Sequence, residues 1–154
     1  MSFLHGYLTA KQLRIWSLLL KRIKQVDIAK MLGITKQTVN KSISVIEKKI
    51  SRSLYEAAKL NKIAIKQIRP LKGVLLGYSS EFKADVVIFL SAKHGLQIWY
   101  KIKHSCESCN LYNECKRILL DEFEARGIEL SDDERKLEPN KLAELLFNHL
   151  VGGI

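Results

Sequence analysis

The chain has 154 residues, with 26 Lys and Arg against 16 Asp and Glu, for a formal net charge of +10. At 47% hydrophobic residues it can bury a proper core, which excludes a disordered tail. The longest apolar run, 86–90, is far too short to span a bilayer. The opening MSFLHGYLTA lacks both a basic stretch and a long apolar stretch, so no signal peptide is expected and the expected location is the cytoplasm.

Taken in chain order, Thr9 is an N-cap candidate for a first helix of about 10–22, with Leu13, Trp16, Leu19 and Leu20 inside. Lys11, Arg14, Lys21 and Arg22 lie mostly outside. Residues 25–46, QVDIAKMLGITKQTVNKSISVI, then read as a helix-turn-helix. Ile28, Ala29 and Leu32 fall at helical spacing on a helix from Gln25 to Leu32. Ala29 is small, as a close helix crossing requires. Gly33 suits the turn because it accepts positive φ without steric cost. Thr35 is positioned to cap a third helix, whose inner stripe is Val39, Ile43 and Ile46. Lys36, Gln37, Asn40, Lys41 and Ser44 are left facing outward, with no Asp or Glu from Thr35 through Val45. Such side chains reach phosphates and base edges in a major groove. Lys48 and Arg52, further along the same helix, are candidate phosphate contacts.

The pattern of the third helix continues through Ile50, Leu54, Ala57, Ala58 and Leu60, with no Gly or Pro before Pro70. Its small residues Ser51, Ser53, Ala57 and Ala58 would allow a copy of the helix to approach, so a homodimer is expected. PLKGV at 70–74 is the best composition break, dividing a helix-turn-helix domain at 1–62 from an α+β domain at 70–154. Beyond it, 74–78, 84–91 and 96–102 read as a three-stranded antiparallel sheet, with a tight turn at Lys93-His94-Gly95. Ile63–Ile68 alternates and either adds a strand or ends the long helix. Two helices follow. One covers about 111–125, with Leu111, Cys115, Ile118, Leu119 and Phe123 inside and Gly127 as its stop. The other covers about 140–151, with Pro139 near its start. It is apolar over a broad face, which must pack on the sheet or on another chain. The segment between them reads as an exposed acidic linker. The fold class is α+β.

Charge is unevenly placed. Residues 1–62 hold 13 basic and 3 acidic residues, and residues 63–154 hold 13 of each. The entire excess therefore accompanies the helix-turn-helix, as expected of a domain that binds double-stranded DNA.

The three cysteines lie within ten residues: His104-Ser-Cys106-Glu-Ser-Cys109 and then Cys115, a pattern H-x-C-x2-C-x5-C. Three thiolates and one imidazole would suit tetrahedral zinc. The same spacing would hold three irons of a [4Fe–4S] cluster. A redox-active thiol pair and three buried free cysteines are the alternatives, with His94 a substitute fourth donor if its turn folds back. The C-x2-C-x5-C spacing resembles the cluster loops of WhiB-like regulators and of the endonuclease III group. Both supply a fourth cysteine, which this chain lacks, leaving His104 as the natural fourth ligand.

The segment from Leu8 to about Ala58 resembles the DNA-binding domain of archaeal Tfx-like regulators and, more distantly, LuxR-type and sigma-factor region 4 helix-turn-helices. LTAKQLRIWSLLL, QVDIAKMLGITKQTVNKSISVIEKK and the helical continuation carry the likeness. It implies a sequence-specific transcription regulator with Thr35 to Ser44 in the groove, and implies nothing for 70–154. Two other functions fit less of the chain. One is a factor that docks a protein of the transcription machinery through its apolar last helix. The other is a nuclease or repair protein. Neither paired carboxylates nor a Gly-rich phosphate loop is present in the sequence, so an enzyme is not expected.

Overall fold

The computed structural model describes residues 8–152 and is α+β: three helices, a four-stranded antiparallel sheet, then three further helices. It separates into two compact units, 1–101 and 102–154. Of the opening stretch in which no signal peptide is expected, residues 1–7 lie outside the described residues. No helix among those described is long and apolar enough to cross a membrane.

In the first unit, α1 (Ala10–Leu20) opens with a capping box. The Thr9 hydroxyl accepts from the Gln12 backbone N–H, and the Gln12 side chain accepts from that of Thr9. The helix stops two residues earlier than its periodicity suggests, and Arg22 turns the chain at φ 62°. Ile15 and Trp16 are its fully buried residues. α2 (Gln25–Leu32) ends at Gly33, φ 64°, ψ 34°. α3 (Lys36–Leu60) is a single helix of 25 residues. Its buried stripe, Val39, Ile43, Ile46, Ile50 and Leu54, extends through Ala57 and Ala58.

The sheet runs β1 (Ile63–Arg69), β2 (Val74–Ser79), β3 (Ala84–Ser91), β4 (Gly95–Tyr100), each strand antiparallel to the next. It has one strand more than the three expected, because IAIKQI leaves the helix and pairs with β2. β1 carries a register shift between Ile65 and Gln67. Ile63, Leu75, Val86, Ile88 and Leu90 join Trp16, Ile46, Ile50 and Leu54 in one core.

Compactness therefore divides the chain after Lys101 and not at 70–74. The reason is local. Residues 70–72 form a 3-10 turn, and Trp16 Nε1 donates to the Leu71 carbonyl at 2.9 Å. Gly73 follows at φ 65°, and a Cβ there would stand 2.7 Å from the Trp16 ring. A segment with the composition of a linker is thus fastened onto α1. The small residues Ser53, Ala57 and Ala58, read as room for a second copy, are buried within the chain's own fold.

In the second unit, α4 (Tyr112–Ala125) and α6 (Pro139–Val151) pack together. Leu119 and Phe123 of α4 are buried, as are Leu142, Leu146, Phe147 and Leu150 of α6. Leu111, expected inside, is 51% exposed because α4 begins just after it. The acidic linker contains a one-turn helix, α5 (Asp132–Arg135), held by a capping box between Ser131 and Glu134.

Candidate nucleic-acid interface and thiol loop

The connection from α2 to α3 is built from three local devices. Gly33 takes the left-handed conformation that ends α2. Thr35 is extended, and its Oγ1 accepts from the Thr38 backbone N–H at 3.1 Å. Loss of such a cap costs ~1 kcal/mol. The stripe from Val39 to Leu54 then fixes which side of α3 faces out. Lys36, Gln37, Asn40, Lys41, Ser44 and Lys48 all fall on that exposed side, as does the cap Thr35. Each of the six stands three or four residues from another of the set, so they share one face. No side-chain hydrogen bond or ion pair engages those six among the described residues. Arg52 is also exposed, but its Nε donates to Glu56 Oε1 at 2.9 Å, one turn on. Lys49, on the flank, donates to Gln12 Oε1 at 2.9 Å and braces α3 on α1.

The compact units sharpen the charge asymmetry. Residues 1–101 hold 19 basic and 5 acidic residues, net +14, and residues 102–154 hold 7 and 11, net −4. Lys24, the N-cap of α2, and Lys30 in its last turn are exposed cations that the motif reading passed over. Both could have been found by marking every cation off the Ile28–Ala29 face.

The cysteine loop lies wholly within the second unit. Two successive turns shape it: Cys109 N–H donates to the Cys106 carbonyl, and Tyr112 N–H to the Cys109 carbonyl, both at 3.2 Å. Cys115 sits in the first turn of α4, its N–H on the Leu111 carbonyl at 2.9 Å. All three cysteines are free thiols, with Cys106 only 4% exposed. His104 Nδ1 lies 2.9 Å from the Ile102 carbonyl, to which an Nδ1–H can donate. Its Nε2 is 3.9 Å from Cys106 Sγ. Zinc–sulfur and zinc–nitrogen bonds at a tetrahedral angle would set these atoms ~3.6 Å apart. The His104–Cys106 pair is spaced near that value, and as it stands the contact is a thiol–imidazole hydrogen bond. Cys109 and Cys115 do not close on it, and among the described residues no three His, Cys, Asp or Glu side chains converge on a site that could hold an ion. Burial pushes the Cys115 thiol up, and negative charge on Cys109, Cys106 and Glu114 acts in the same direction. His94 lies in the β3–β4 turn, its backbone N–H held by Ser91 Oγ at 3.0 Å.

No family model, curated protein or solved structure matches this chain.

Proposed function

We propose that the protein is a sequence-specific DNA-binding transcription regulator that reads duplex DNA through α3. The observation that supports this most directly is the outer face of that helix. It presents amides at Gln37 and Asn40 between the cations of Lys36, Lys41 and Lys48, exposed and with no acidic partner. An ordinary solvated helix mixes both signs and pairs them at i, i+4. Here Gln37 and Asn40 would reach base edges, with Asn bidentate to adenine as the favoured pairing. Lys36, Lys41 and Lys48 would meet phosphates, and Thr35 would set the angle at which the helix enters.

The reading includes a metal in the second unit, held by Cys106, Cys109, Cys115 and His104. The orientation of His104 Nε2 toward Cys106 favours zinc over a [4Fe–4S] cluster. Bound there, zinc would supply no chemistry beyond fastening a loop to the start of α4.

Selection of duplexes from a random pool, followed by binding measurements across a salt series, tests the function. One enriched sequence should emerge, bound more tightly than random duplex, with affinity falling steeply as salt rises. Asn40→Ala should cost ~1–3 kcal/mol on that sequence and little on random duplex. Equal affinity for all duplexes, or none at low salt, would sink the reading.

A further inference from the structure

The order β1-β2-β3-β4 leaves two edge strands, and the chain treats them differently. An edge offers a row of N–H and C=O groups on which another strand can form, and proteins guard such edges with bulges, lysines and prolines. β1 carries all three guards: the shift between Ile65 and Gln67, Lys66 at that bulge, and Pro70 directly after its last residue, Arg69. β4 carries none of them. Its sequence GLQIWY has no charge and no proline, and it pairs with β3 in unbroken register from Gly95 to Tyr100.

The direction of its amides follows from one bond. Lys101 N–H donates to the Asp85 carbonyl at 2.8 Å, directly beyond the Val86–Tyr100 pair. Antiparallel ladders alternate, so Gln97 and Trp99 also turn their amides to β3. Leu96, Ile98 and Tyr100 turn theirs away from β3.

We propose that this edge binds the same edge of a second copy of the chain, β4 to β4, antiparallel about a two-fold axis at Ile98. The result is one continuous eight-stranded sheet. The strand is self-complementary in that arrangement. Ile98 faces its own copy, Leu96 faces Tyr100 of the other copy, and Gln97 faces Trp99. Aliphatic and aromatic side chains meet, and no like charges are opposed. The same operation at β1, centred on the bulge, would set one Lys66 against another. That contrast favours a copy of this chain over an unrelated strand, because a foreign partner would not require β4 to match itself.

Sedimentation equilibrium of the full chain, joined to amide hydrogen exchange over a concentration series, tests the pairing. The expected mass is double the 17.7 kDa of one chain. Protection at Leu96, Ile98 and Tyr100 should rise with concentration, while that at Gln97 and Trp99 stays constant. Ile98 packs against the core, so the variant acts on its backbone: Ile98→Pro removes the amide turned away from β3 and should abolish the doubling while Gln97 and Trp99 stay protected. Ile98→Thr, β-branched and neutral, should keep it and so separates lost pairing from lost folding. A chain that stays monomeric at the highest concentration reached overturns the proposal. So does a dimer whose Leu96, Ile98 and Tyr100 amides exchange at a rate independent of concentration. No DNA enters the measurement, so its outcome is distinct from that of the DNA-binding reading.

Discussion

Arg126 Nε donates to Glu122 Oε1 at 2.8 Å, one turn back along α4, and the two side chains are 4% and 0% exposed. The other carboxylate oxygen, Oε2, has no hydrogen-bond partner among the described residues. Burial draws the Arg126 pKa down from its usual value, and the charge and hydrogen bond of Glu122 hold it up. Removing Arg126 takes the ion-pair partner from a fully buried carboxylate, a loss of ~3–5 kcal/mol, and removing Glu122 takes this ion pair from a buried guanidinium. Glu122→Ala and Arg126→Ala should each lower the urea midpoint sharply. Glu122→Leu combined with Arg126→Met should return close to the parent. A double variant no more stable than either single one would contradict this account.

The turn at Gly33 gives a second prediction. A Cβ built there meets nothing within 4 Å, so the glycine is needed for its φ of +64° and not for space. Gly33→Ala should therefore destabilise by ~1–2 kcal/mol, the backbone cost of a left-handed alanine. Gly33→Asn should recover part of that loss, since asparagine tolerates the conformation. Chemical denaturation measures both.

Lys48 and Arg52 were equal candidates for phosphate contact, and the structure separates them. Lys48→Ala should lower the slope of log affinity against log salt by ~0.9. Arg52→Ala should lower it less, because Glu56 already holds the guanidinium. Titration with random duplex at several salt concentrations is the check, and equal slopes for the two variants would contradict the distinction.

For the thiol loop, metal analysis of protein purified without air should return zinc, with His104→Ala binding it more weakly. Iron with the broad visible absorption of a cluster would replace zinc in the proposal. Finding neither metal, even after the chain is offered each, would remove it.

A smaller effect concerns pH. Lys66 Nζ lies 2.6 Å from Asp85 Oδ1, and its hydrogen bond and charge lower the Asp85 pKa below 3.8. A depressed carboxylate adds stability above its unfolded pKa and loses it as pH falls through the folded value. The effect is therefore confined to acid below about pH 4. Nuclear magnetic resonance titration should show Asp85 moving back toward 3.8 in Lys66→Ala.

The three N-terminal helices were legible almost residue by residue, because their signals are local: Thr9 with Gln12, Gly33, Thr35, and apolar spacing from Val39 to Leu54. The α5 box, Ser131 with Glu134, was equally local, yet the acidic composition around it read as coil. What escaped was long-range or against type. The Trp16–Leu71 bond joins residues 55 apart in sequence, and nothing in PLKGV announces a docked segment. The stripe Leu111, Cys115, Ile118 leads at regular spacing to Glu122, where an apolar residue would be expected. The cysteine spacing was plain, but spacing alone does not orient side chains, and only His104 and Cys106 stand near each other as a metal would need.

The unbroken course of α3 has a mechanical consequence. At 1.5 Å per residue it is a rod of about 37 Å, with its first turns carrying the exposed polar face and its last turns in the core beneath the sheet. It contains no glycine, no proline and no break at which its exposed end could swivel. Under the DNA-binding reading proposed above, a signal that alters sequence reading would not act by bending this helix. It would tilt the rod as a whole, and the sheet would be the handle by which it is gripped.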